Sequence, residues 1–254
     1  MDYKKVILGL LIVTAISCST EDITPARLFI KELEDPSCYK HQFNYKDGHL
    51  IEFRTIFGQQ QVGTLTQFYY QGDQLVKVHI KKEPGIEHII ELSYGANGLR
   101  SEEKVTSIQR GDTLPVKTGK FNYEAGLLKS INYSVDDPAY VPTETVFHWR
   151  DENIIQMDFN IYFEHGKVNH GNRKFSYDHG LNYSNQDIAF IYAEGTGEET
   201  KVSKNNIVTQ QTKFGDEIYQ GGNYTFTYTK SGYPTGYVYK LGEVKYTPIQ
   251  IRYW

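Results

Sequence analysis

The chain has 254 residues, 39% hydrophobic and 23% charged, with 27 Lys plus Arg against 31 Asp plus Glu and a formal charge of −4. Apart from an apolar run at the N-terminus, this is the balance of one globular domain of roughly 230 residues that buries about 70% of its unfolded surface. It excludes a polytopic membrane protein, a disordered chain and a disulfide scaffold, and it leaves no basic excess to bind nucleic acid.

The predicted elements begin with Lys4 and Lys5 followed by eleven apolar residues, Val6 to Ile16. As a helix this run reaches only about 16 Å, too short to span a bilayer, so residues 1–17 read as a signal peptide. Ala15-Ile16-Ser17-Cys18 resembles the lipobox of bacterial lipoproteins. That resemblance implies a diacylated Cys18 as the mature N-terminus, a polar tether over 18–25 and a membrane partner held through lipid. Several acyl chains anchor firmly where one alone is marginal. With Cys18 modified, Cys38 is the one remaining thiol and no internal disulfide can form. Thr24 to Leu33 reads as a short helix or an edge strand.

Residues 26–254 read as a single all-β repeat domain. The signature is an apolar residue, any residue, an aromatic anchor, a turn often holding Gly, and an apolar residue five positions after the anchor. Phe43-Asn44-Tyr45 with Gly48 and Leu50 shows it in full. Phe68-Tyr69-Tyr70, Leu92-Ser93-Tyr94 with Leu99, and Phe121-Asn122-Tyr123 repeat it, and looser copies end at Trp149, Tyr177 and Tyr228. The spacing predicts hairpins, because residues two apart in a strand share a face and glycine permits a tight turn. The return strand Val76, Val78 and Ile80 alternates with Lys77, His79 and Lys81, the pattern of a half-buried sheet. The gap from Tyr177 to Tyr228 is about twice the usual one, and the sequence predicts a degenerate hairpin between Phe190 and Thr212. About a dozen strands follow, as a long antiparallel meander forming a strongly curved sheet or partial barrel, with a two-sheet sandwich as the alternative.

Tyr177-Asp178-His179-Gly180-Leu181 and Tyr45-Lys46-Asp47-Gly48 resemble the YD repeats of RHS-type proteins. Together with the lipobox and the Phe226 to Pro234 segment, the chain resembles uncharacterised Bacteroidetes lipoproteins with degenerate YD repeats. That resemblance implies an all-β fold and an envelope location, outer membrane, on the periplasmic face or at the cell surface. It implies no established activity.

Chemistry is sparse. His165 and His170 stand at an odd spacing that puts them on opposite strand faces, so no metal site is expected. Glu102-Glu103, Asp136-Asp137 and Glu198-Glu199 are adjacent pairs beside turns rather than carboxylates facing across a cleft. No cofactor motif or nucleophile elbow is present, so the reading leans away from an enzyme. Tyrosines off the anchor positions, Tyr69, Tyr133, Tyr183, Tyr224 and Tyr237, form a candidate aromatic platform for a ligand. The function expected is a non-catalytic binding or scaffold module for a glycan, a peptide or an envelope partner. The alternatives are a carrier of hydrophobic ligands or lipid in a half-barrel cavity, and a hydrolase with carboxylates from separate turns.

Overall fold

The structure is a computed structural model that describes residues 28–254 apart from 37–38, 59–60, 83, 137–140, 164–166, 183–187, 194–201 and 220. Cys18, Cys38, His165 and Tyr183 lie outside the described residues, as do the signal peptide and the tether.

The chain is an antiparallel meander, and each hairpin explains the sequence signature. Strands β2 (Tyr39–Lys46) and β3 (His49–Phe57) turn through Asp47 and Gly48, both at positive φ (51° and 82°). Tyr45 faces Leu50, Asn44 faces Glu52, and Ile51 is left over as a β-bulge. The bulge is why the apolar residue falls five after the anchor. In a regular strand Leu50 and Phe53, three apart, point to opposite faces. With one extra residue between them both point inward, at 0% and 1% exposure.

The same bulge recurs before the anchors of β4 (Gln61–Gln71) with β5 (Gln74–Lys82), β6 (Ile86–Tyr94) with β7 (Arg100–Gln109), and β8 (Asp112–Glu124) with β9 (Leu127–Val135). It recurs again in β10 (Thr143–Arg150) with β11 (Asn153–Tyr162), and in β12 (Val168–Leu181) with β13 (Asn205–Phe214). After the short β14 (Glu217–Tyr219), it appears once more in β15 (Asn223–Tyr228) with β16 (Pro234–Leu241). Three anchors depart from the five-residue spacing: Tyr94 faces Arg100 and Tyr228 faces Pro234, each six residues on, with Leu99 and Tyr233 left in the turns, and Tyr177 faces Ile207 across the long excursion.

The ring is closed by the two chain ends. After β17 (Val244–Lys245), β18 (Ile249–Tyr253) pairs with β16 and with the N-terminal β1 (Ile30–Asp35), which in turn pairs with β2. Tyr253 faces Ile30, Arg252 faces Glu32, and Lys31 is the bulge. Ile251-Arg252-Tyr253 is therefore an eighth anchor whose return strand is supplied by the other terminus. Eight units of two strands make a closed 16-strand antiparallel barrel, with β14 and β17 as side hairpins outside the ring. The all-β expectation holds and the curvature runs to full closure, with more strands than a dozen. A sandwich is not formed, because the first and last strands satisfy each other's edges.

The long gap after Tyr177 is not a degenerate hairpin. The chain leaves β12 at Leu181 and returns at Asn205, and between them Ala189–Ala193 forms helix α1 with Ala189 and Phe190 at 0% exposure. Phe190 stacks on Phe43, ring centres 5.3 Å apart, so the excursion enters the barrel. Its apolar side chains are better buried in the interior than on an outer wall.

Inner and outer walls differ in chemistry. The interior carries two apolar clusters, one around Phe43, Phe53, Phe68 and Phe190, the other around Phe121, Phe147, Ile154 and Met157. On the outside, Lys77, Glu91 and Lys104 face one another across β5, β6 and β7. His79 with Glu87 at 2.5 Å and His148 with Asp158 at 2.6 Å continue this charged exterior.

Candidate aromatic track and buried polar node

Strands β15 and β16 alternate aromatic and polar residues, Asn223-Tyr224-Thr225-Phe226-Thr227-Tyr228 and Gly236-Tyr237-Val238-Tyr239. Alternation puts the rings on one face, and cross-strand pairing sets Tyr224 opposite Tyr239 and Phe226 opposite Tyr237. Tyr237 packs against the first interior cluster and Tyr224 against the second, so this face is the inner wall. Ring centres lie 5.2 Å apart from Tyr246 to Tyr239, 4.9 Å from Tyr239 to Tyr224, 6.1 Å from Tyr224 to Tyr237 and 5.4 Å from Tyr237 to Phe226. Phe226 continues to Tyr228 at 6.1 Å. The track starts at the barrel end opposite the anchor turns, where Tyr246 is 47% exposed.

A close backbone approach seats the track. The Gln210 N–H donates to the Gly222 carbonyl at 3.1 Å, and a Cβ on Gly222 would run into the ring of Tyr239. Beside it, a cleft of about 520 Å³ opens where β14 departs from β13, lined by Lys174, Ser176, Thr209, Asn223 and Glu243 among others. Lys174, Ser176 and Asn223 alternate with Phe175 and Tyr224, and Thr209 faces Ser176, so this cleft lies on the outer face, across the wall from the track.

The second feature is a buried polar node. In four other units the two inward residues of the return strand are apolar: Leu50 with Phe53, Leu75 with Val78, Leu128 with Ile131, Ile154 with Met157. In β7 they are Arg100 and Glu103, each 4% exposed and 3.6 Å apart. An Arg100 Nη1–H donates to the Tyr192 hydroxyl of α1, which donates to Glu103 Oε2 at 2.7 Å. Tyr133 donates to Glu103 Oε1 at 2.8 Å, and the guanidinium lies 3.7 Å over the Phe121 ring. Gly119 makes room, since a Cβ there would meet the Tyr133 ring at 2.6 Å. Both ionic groups are thus paired and hydrogen-bonded, the condition on which buried charges are tolerated.

The five tyrosines read from the sequence do not share one face. Tyr224 and Tyr237 come together in the track, and Tyr133 stands on the inner wall at the polar node with Lys117 Nζ 4.0 Å above its ring. Tyr69 is on the outer wall, 42% exposed, with Lys77 Nζ 5.1 Å from its ring centre. Tyr183 falls outside the described residues. Sequence reading missed Phe226, Tyr239 and Tyr246, although the strict alternation of β15 was the available signal. It also passed over Arg100 and Glu103, which break the apolar pair of the return strand. Glu103, one of the paired carboxylates considered for hydrolysis, is neutralised by Arg100. Glu102 points the other way and lies 3.4 Å from Lys104 on the outer wall.

No protein-family model and no curated protein matches the chain. Solved structures share its fold. A porin-like protein from Bacteroides vulgatus ATCC 8482 superposes with a TM-score of 0.58 at 11% identity, over 89% of this chain and 99% of that one. A porin-like protein from Bacteroides uniformis ATCC 8492 gives 0.52 at 11% identity, over 89% and 96%. The likeness is one of fold. The walls of this barrel are the reverse of a membrane-spanning barrel, which turns an apolar band to lipid and a polar interior to water.

Proposed function

We propose that the protein is a lipid-anchored barrel of the cell envelope that does not span the membrane and that binds an oligosaccharide on the aromatic track of β15 and β16. No helix among the described residues is long and apolar enough to cross a membrane. Spanning by strands would bring Lys77, Glu91 and Lys104 into hydrocarbon, at a cost of about 2–4 kcal/mol for a Lys or Arg near the midplane. Attachment is then the work of lipid on Cys18, and the fold it shares with porin-like Bacteroides proteins agrees with an envelope location.

The observation that carries the binding reading is the run of rings from Tyr246 through Tyr239, Tyr224, Tyr237 and Phe226 at spacings of 4.9 to 6.1 Å. Tyrosine offers a flat apolar face with a hydroxyl tip. Successive rings at this pitch suit a chain of hydroxylated pyranose rings, whose C–H faces stack on an aromatic plane while their hydroxyls reach the phenolic tips. Calorimetry of the mature chain against an oligosaccharide panel tests this. Binding that Tyr239→Ala and Tyr224→Ala each abolish supports it, and binding that both variants retain contradicts it.

A further inference from the structure

Helix α1 is an internal occupant of the barrel, and three observations set it apart from the wall. First, the ring is hydrogen-bonded strand to strand through all eight units without any contribution from α1. Second, the excursion that carries α1 is closed at its neck by contacts that involve neither α1 nor its seat. Asn182 N–H donates to the Lys204 carbonyl at 3.1 Å, Asn182 Nδ2 to the Ser203 carbonyl at 2.8 Å, and Ile154 N–H to Ser203 Oγ at 3.1 Å. Third, the seat is an apolar hollow of Phe43, Phe53, Phe68, Leu75 and Val78, with a polar end formed by Arg100 and Glu103.

What α1 presents to that seat is chemically simple. Ala189, Phe190 and Ala193 fill the apolar part, and the Tyr192 hydroxyl, accepting from Arg100 and donating to Glu103, fills the polar end. A single hydroxyl serves both partners at once, accepting from the guanidinium and donating to the carboxylate. A carboxylate at that point would face Glu103, and an ammonium would face Arg100. Because Arg100 and Glu103 neutralise each other within one strand, withdrawal of Tyr192 leaves a place for a hydroxyl rather than an uncompensated buried charge.

We propose that this seat is a hydrophobic-ligand site held closed by its own chain, and that it takes an apolar molecule bearing one hydroxyl group, which displaces α1 and sets its hydroxyl between Arg100 and Glu103. The seat adjoins the aromatic track at Tyr237, which packs against the same apolar cluster, but its polar end is built by Arg100 and Glu103 of β7, and it does not depend on the oligosaccharide reading. The test uses 4-phenylphenol, with biphenyl and biphenyl-4-carboxylate for comparison, on the mature chain and on Tyr192→Phe, which keeps the ring and removes the hydroxyl. Affinity is read by calorimetry and the fate of α1 by hydrogen exchange of the Ala189–Ala193 amides.

The expected result is binding of 4-phenylphenol at least about tenfold tighter than either comparison compound, since a site built around a hydroxyl rejects analogues without one. Exchange in α1 accelerates on binding while that of β9, β10 and β11 is unchanged, and Tyr192→Phe binds more tightly than the parent. Absence of binding to both proteins, binding without preference for the hydroxyl, or binding that leaves α1 protected overturns the proposal. Tyr239→Ala leaves 4-phenylphenol affinity unchanged, which separates this site from the track.

Discussion

The Tyr94 hydroxyl donates to the carbonyl oxygen of Leu75, 2.7 Å away and 19 residues back in the chain. The bond ties one repeat unit to the preceding one, from the anchor of the later to the first inward residue of the earlier return strand. Tyr70 does the same to Leu50 at 3.0 Å, Trp149 Nε1–H to Leu128 at 2.7 Å and Tyr177 to Ile154 at 2.5 Å. Tyr253 to Pro234 at 2.8 Å extends the series to the closing unit. The carbonyls are those left beside each bulge, where the regular ladder is interrupted. The repeated aromatic is thus explained by what its polar tip does between units as well as by its burial.

Removing that tip is expected to cost stability without changing shape. Tyr94→Phe and Tyr70→Phe each lose about 1–2 kcal/mol, a hydrogen bond plus the orphaned carbonyl. Urea unfolding followed by far-ultraviolet circular dichroism measures this, and no loss at either position contradicts the role assigned to the hydroxyl.

Closure by the two termini makes a topological prediction. Trp254 N–H donates to the Phe29 carbonyl at 3.0 Å, so the ends of the domain already touch. A permuted chain that joins Trp254 to Leu28 through a short flexible linker and opens at the Gly72-Asp73 turn keeps the barrel, because the eighth unit becomes a covalent hairpin like the others. Its unfolding remains cooperative with a midpoint within about 5 °C of the parent. Deletion of Ile251 to Trp254 instead removes the partner of β1 and abolishes cooperative unfolding. A permutant that fails to fold alongside a truncation that folds normally contradicts the closure.

The fold was legible where the sequence repeats itself. Phe43-Asn44-Tyr45 and its successors located six hairpins and the anchor of a seventh strand pair, in which Tyr177 faces Ile207 rather than a residue beside Leu181, and the five-residue step to Leu50 encoded the bulge. Two things were not local. The closing unit is split between Ile30 and Tyr253, so no window of sequence contains it. The interval after Tyr177 looked like a lost hairpin because Phe190 and Ala193 follow no strand period; they pack inside the barrel as a helix, a tertiary outcome that periodicity does not report. Of the candidate site, Tyr224 and Tyr237 were legible from their place off the anchors. Tyr69 and Tyr133 were not separable from them, since a bulge changes which parity faces inward.

Glycines in two settings are expected to behave differently. Gly222→Ala pushes Tyr239 out of the track, so oligosaccharide affinity falls by about tenfold or more. Gly48, at φ 82° with open space around its Cβ position, carries only a backbone requirement. Gly48→Ala costs about 1 kcal/mol of stability and leaves affinity unchanged. Equal affinities in the two variants contradict the placement of Tyr239.

Acid lability is expected from His88, on the inner wall opposite Ser107. Burial, with a smaller contribution from the charge of Lys82, holds its imidazole below the ordinary value of 6.5. Below pH 6.5 the unfolded chain binds the proton more readily than the folded one, so stability falls as pH drops through 6.5 towards the folded value and is fully present above it. His88→Asn flattens this part of the stability profile, measured by urea unfolding between pH 5 and pH 8. An unchanged slope in the variant contradicts the assignment.

The most direct measurement is phase partition in Triton X-114 of the full-length protein and of Cys18→Ala, the latter exported behind a signal peptide that is cleaved without lipidation so that Val6 to Ile16 is absent from it. A barrel held to the envelope by lipid alone, with Lys77, Glu91 and Lys104 facing water, goes to the detergent phase when acylated and wholly to the aqueous phase when Cys18 is replaced. A folded Cys18→Ala protein that stays in the detergent phase would mean that the wall itself meets lipid.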